Sequence, residues 1–205
     1  MILPWTYGPR QFPVGGTDEQ IKDFQSPQVS IYRDPADPSW DYMPSMAEAR
    51  GKCSYVANMQ VFNGAMTFPM SIPDGTSNTI GFAEHYFMCI MPGPGATSLD
   101  YTSTFSAPPI PVGGRRATFA DQGWLDVVPV TDPATKRTVA SVPGKTFQVR
   151  PRVEEVDHRI PQTPHPGGLP VALFDGSVRT LSPSIDEHIF WSLVTPNGGE
   201  VIGDF

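Results

Sequence analysis

His165 and Asp175 are separated by nine residues in the stretch HPGGLPVALFDGSVRTL. An imidazole and a carboxylate brought together could hold a metal ion or pass a proton. An extended chain would carry them well apart, so they meet only if the PGGLP segment folds back. The pair also comes with no neighbouring nucleophile and no oxyanion donor. The plainer expectation is that Asp175 and Gly176 set a tight turn and that His165 binds a nearby backbone group.

Glu84 and His85 adjoin within an apolar run. On a strand they face opposite sides, so one of them points inward. A buried Glu84 needs a partner, and Arg115 or Arg179 could supply a structural ion pair. A hydrolase-type site would need His165, Asp175, Glu84 and His85 to converge. Asp74, Thr76, Ser77 and Asn78 crowd oxygen atoms into one short block around Gly75. Oxygen ligands suit Ca²⁺, and Asp74 and Asn78 are the candidates, but no EF-hand spacing is present. A turn held by local side-chain bonds is the expected role, so no cofactor is expected beyond that Ca²⁺ candidate.

Cys53 and Cys89 form no Cys-x-x-Cys pair, which excludes a structural zinc site of the usual cysteine kind. A disulfide between them and two unrelated thiols both stay open. The GGRR stretch at 113–116 is a local basic pair, suited to an anion or to solvent. No Gly-x-Ser-x-Gly elbow, phosphate loop or dinucleotide fingerprint occurs. No catalytic residue is therefore assigned.

These residues must be positioned by a chain with 24 Pro and 19 Gly among 205 residues and a net charge of -7. The length suits one globular domain over 1–205. The acidic balance argues against binding nucleic acid. No apolar run is long enough to span a membrane, and the opening residues carry no signal-peptide pattern. Residues 1–20 read as an irregular arm, with a helical turn at 17–24. Alternation predicts strands around Val29–Arg33 and Cys53–Phe62, the latter ended by Asn63-Gly64. A buried strand is expected from Thr79 to Met91, and a long loop or insertion over 92–122. Short strands follow in GWLDVVPV, TVASV and KTFQVRPRVEEV. Pro170–Phe174 and Ser177–Leu181 read as a hairpin closed by a type I′ Asp-Gly turn. A last helix is capped by Ser184 with Glu187 three residues on, buries Ile185, Ile189, Trp191 and Leu193, and stops at Pro196. The fold class is α+β and β-rich: an antiparallel sheet with few short helices and long Pro/Gly loops.

Several of these blocks, in this order, resemble one family. His165, nine residues, then Asp175-Gly176 resembles the C-terminal signature of the planctomycete-type prepilin-like proteins known as domain of unknown function 1559. IPDGTSNTIGFAEH resembles the family's Asp-Gly-Thr-Ser-Asn block with its following Glu, here Glu84. CSYVANMQVFNGAM resembles its SY-x-x-N strand, FQSPQVSIYRDPADPS a diverged form of its Phe-x-Cys-Pro-Ser-Asp-Pro segment, and TPNGGEVIGDF its close. Together they cover roughly 20–90 and 150–205. The resemblance implies a pilin-like head domain and a non-enzymatic structural subunit of a cell-envelope or extracellular assembly. Partners would be further copies or other pilin-like subunits. Members ordinarily open with a prepilin leader and an apolar helix, a pattern the first residues here lack, so contacts are expected through loops and strand edges. The alternative is a Ca²⁺- or ligand-binding surface module, and a hydrolase-type enzyme stands third.

Overall fold

The computed structural model describes residues 30–42, 53–62, 66–90, 98–102, 114–116, 118–120, 128–131, 138–157 and 159–199. Its strands, in chain order, are β1 (Tyr55–Asn58), β2 (Ile80–Glu84), β3 (Met88–Ile90), β4 (Ser98–Thr102), β5 (Gly114–Arg116), β6 (Thr118–Phe119), β7 (Val128–Thr131), β8 (Thr138–Ser141), β9 (Gln148–Val149), β10 (Gln162–Thr163), β11 (Leu169–Leu173) and β12 (Val178–Leu181). Helix α1 (Glu187–Val194) follows. The protein is a strand-rich α+β fold. The helical turn expected at 17–24, the 1–20 arm and the Asn63-Gly64 turn lie outside the described residues.

The main sheet has the order β12-β11-β2-β1-β6. Period-two patterning builds it: Leu169, Val171 and Leu173 of β11 are buried while Pro170 and Ala172 between them are half-buried. Each fully buried apolar side chain of this kind contributes about 1.5–3 kcal/mol. The buried face meets Phe190, Trp191, Leu193 and Val194 of α1 and Val142, Val153, Val156 and Ile160 of the preceding segment. Three of the four pairings are antiparallel, but β6 joins β1 in parallel, so the sheet is mixed rather than purely antiparallel.

Side chains lock this sheet to the helix. Asn58, fully buried, donates from Nδ2 to Ile80 O at 2.8 Å and to Val194 O at 2.6 Å. Trp191 donates from Nε1 to Lys145 O at 2.9 Å.

Several expectations change at the level of elements. Ser30–Tyr32 is a 3₁₀ turn, not a strand, and Ile31 is 76% exposed. Asp34 and Asp37 each bond the backbone two residues on, which offers the chain an alternative to a sheet ladder. The Thr79–Met91 run is two strands in different sheets, β2 and β3. It breaks because Phe87 N donates to Asp37 Oδ2 at 2.9 Å and the Phe87 ring stacks on Trp40 at 4.2 Å. The expected loop at 92–122 instead holds β4, β5 and β6. β7 and β8 pair antiparallel, as GWLDVVPV and TVASV suggest.

The β11–β12 hairpin is present with a different turn. Gly176 N donates to Leu173 O at 3.0 Å, and Gly176 alone adopts positive φ, at 87°. A type I turn followed by a left-handed glycine replaces type I′, which would need positive φ at Asp175 as well. The helix cap also moves. Asp186, not Ser184, accepts from His188 N at 2.8 Å and Ile189 N at 3.3 Å. Glu187 is drawn away from a capping box because it accepts from Gly144 N at 2.9 Å. The later start turns Phe190 and Val194 inward and leaves Ile189 exposed. Among the described residues no helix is long and apolar enough to cross a membrane.

Candidate functional site

Three polar side chains far apart in the chain meet at the end of β2. Glu84 closes that strand, and alternation places it on the side of Phe82, opposite the core residue Ala83. Asp34 arrives from the Asp-Pro turn after Ser30–Tyr32. His165 follows β10, where Thr163 ends the strand. His165 Nε2 lies 3.3 Å from Glu84 Oε1 and 3.6 Å from Asp34 Oδ2.

The surroundings orient each group. Thr163 donates from Oγ1 to Glu84 Oε2 at 2.6 Å, and the same oxygen accepts from His165 N at 3.1 Å. Asp34 Oδ1 accepts from Ala36 N at 2.9 Å. Each carboxylate thus has one oxygen tethered to the protein and the other turned toward the imidazole. Asp34 Oδ2 is buried with no hydrogen-bond partner. Asp34 is 5% exposed, while the His165 side chain is 44% exposed and opens the cluster to solvent.

Burial pushes the Glu84 carboxyl above its usual range, and the nearby Asp34 charge adds to this, against the Thr163 hydroxyl and His165, which favour the ionised form. The Tyr55 hydroxyl is raised by burial first and then by the charges of Asp34 and Glu84. Two acids and one imidazole in this arrangement can share a proton or hold a cation. Asp34, Glu84 and His165 each offer one ligand atom, all within 4.8 Å of one another.

The other expected residues stand elsewhere. Asp175 is fully exposed, and its Oδ1 accepts from Ser177 N at 2.8 Å and Ser177 Oγ at 2.7 Å. It holds the hairpin turn and does not join His165. His85 faces the other way, with Nδ1 2.6 Å from Tyr86 O. Of the four residues a hydrolase-type site would need, only His165 and Glu84 come together. Glu84 pairs with His165 and Thr163.

The Asp-Gly-Thr-Ser-Asn block forms a turn. Gly75 takes φ 100°, Asn78 Nδ2 donates to Asp74 O at 3.1 Å, and Asp74 Oδ1 accepts from Gly199 N at 2.8 Å. Thr76 O accepts from Asp175 N at 3.0 Å, so this block and the hairpin turn hold each other. Cys53 carries a free, buried thiol that donates to Tyr55 O at 3.1 Å, so the Cys53–Cys89 disulfide is not formed.

Asp34 escaped sequence reasoning. Its only signal was the order of the diverged Asp-Pro block before the block that ends in Glu84. Ser54 and Asn58 of the SY-x-x-N strand turn out to be structural: Ser54 Oγ donates to Asp37 Oδ2 at 2.9 Å and accepts from Trp40 Nε1 at 3.0 Å.

The fold and site define a strand-rich α+β protein whose motif residues brace turns and strand ends, and whose described residues include a carboxylate–imidazole cluster that opens to solvent through His165. The chain belongs to a family described as a protein of unknown function (DUF1559), whose family model matches residues 14–188. No curated protein and no solved structure matches it.

Proposed function

We propose that this chain is a non-enzymatic structural subunit, prepilin- or pseudopilin-like, that works in a cell-envelope or extracellular assembly and contacts further copies of itself. The observation that carries this reading is the edge of the main sheet. Among the described residues nothing pairs with the outer side of β12, and Val178 there is 72% exposed. Beside it on the outer face lie Phe62, Phe82 and Phe174, with ring centroids 5.3 and 5.4 Å apart. Phe82 is 47% exposed. An open edge next to an aromatic face is a template for strand addition. Two copies of β12 meeting antiparallel about a two-fold axis would make a self-complementary contact. The location follows the family resemblance. No catalytic step and no resident cofactor belongs to this reading.

Light scattering over a concentration series tests it. The expected result is a mass that rises with concentration and a rise lost in Val178→Lys, because a lysine on an open edge opposes pairing. A strict monomer at every concentration would overturn self-assembly through this edge. The second reading, a ligand-binding surface module, is favoured by the Asp34–Glu84–His165 cluster.

A further inference from the structure

We propose that Asp34, Glu84 and His165 form a binding site for one divalent transition-metal ion of the Zn²⁺ type. Donor spacing is the first argument. Two ligands bound at about 2.1 Å with tetrahedral angles stand about 3.4 Å apart. His165 Nε2 stands 3.3 Å from one carboxylate oxygen and 3.6 Å from the other.

The second argument is independent of the clustering. Asp34 Oδ2 is buried without a hydrogen-bond partner and is aimed at His165. A buried carboxylate oxygen left unsatisfied is costly, and a cation at this point satisfies it. Two ionised carboxylates beside a neutral imidazole carry excess negative charge. A dication neutralises it.

The supporting shell fits the same role. Thr163 Oγ1 holds Glu84 Oε2 and the His165 backbone, and Ala36 N holds Asp34 Oδ1. Each carboxylate is oriented by a bond at the oxygen that would not touch the ion, which is how metal ligands are commonly supported. The donor set selects the ion. Ca²⁺ and Mg²⁺ favour oxygen throughout, whereas one imidazole nitrogen with two carboxylate oxygens suits Zn²⁺ and its first-row neighbours. The exposed side of His165 leaves a coordination position for water.

The test is calorimetric titration of ZnCl₂ into the chelator-treated full chain, with His165→Gln, Asp34→Asn and the off-site control His188→Gln. The expected result is one ion per chain, with affinity lost by more than ~100-fold in His165→Gln and Asp34→Asn and kept in His188→Gln. Thermal melts without metal establish that each variant is folded. With Zn²⁺ at a hundredfold excess over Kd, the unaltered chain gains roughly 5–10 °C in Tm, and CaCl₂ at equal concentration gives no such gain. Binding weaker than about 100 µM in the unaltered chain would overturn the proposal, since that is only about -5.5 kcal/mol. So would tight binding that survives His165→Gln, which removes a half-exposed side chain and leaves the fold in place.

Discussion

A carboxylate in this protein takes its character from its donors and its burial. Asp37 is buried, which pushes its carboxyl up, yet it gathers Ser39, Ser54 and Phe87 as donors and so ties three segments together. Asp157 goes the other way. Burial would raise it, but Arg159, at 2.8 and 2.7 Å, and Lys145, at 2.5 Å, hold it well below the usual carboxylate range. A depressed carboxylate stabilises the fold above its unfolded pKa of about 3.9 and loses that contribution as pH falls through the folded value. Asp157→Asn should therefore cost about 1–2 kcal/mol at pH 7, modest because Lys145 is solvent-exposed. The cost should shrink as pH falls from about 5 toward 2. Urea denaturation of both proteins at pH 7 and pH 3 measures this, and an undiminished gap at pH 3 would refute the linkage.

At the scale of elements, the hairpin and its approach explain the two glycines of HPGG differently. Gly168 adopts φ 127°, and a Cβ there would stand 2.0 Å from Leu181 O on the partner strand. At Gly167 a Cβ would meet nothing within 4 Å. Gly168→Ala must push β11 off β12 at Leu169–Leu181, and this also displaces the chain that carries His165. Its expected cost is ~3 kcal/mol or more, against less than ~1 kcal/mol for Gly167→Ala. Chemical denaturation of the pair checks this, and equal stabilities would show that the close approach does not govern the hairpin.

At the scale of the whole molecule, what matters is how the main sheet of short strands is joined to the short helix α1. Asn58 makes that joint by bonding both Ile80 O in the sheet and Val194 O at the end of α1. Its amide nitrogen meets carbonyl oxygens that have no water to turn to. Asn58→Asp replaces that donor with an oxygen and leaves both acceptors facing a charge. The expected loss is about 2–3 kcal/mol, a fall in Tm of roughly 5–10 °C for a chain of this size. A thermal melt followed by circular dichroism gives the number, and an unchanged Tm would mean that the helix docks through Phe190, Trp191 and Leu193 alone.

By itself the sequence determined the parts whose bonds close locally. Alternation and Asp-Gly marked the β11–β12 hairpin, because strand face and turn residue are set within a few positions. TVASV returned along β7 for the same reason. Pro196 ended the helix, since a ring without an N–H cannot continue it. The tertiary structure decided everything that depends on a distant donor. Asp37 splits the apolar run after Glu84 because it captures Phe87 N, and Gly144 removes Glu187 from a capping box. The cluster itself lies in this second class. Glu84 and His165 were visible as chemical residue types, but Asp34 was one acid among many, and only the crossing of three segments brings it to them. Spacing along the chain carries no record of such a meeting, because the contacts that create it are between residues many positions apart.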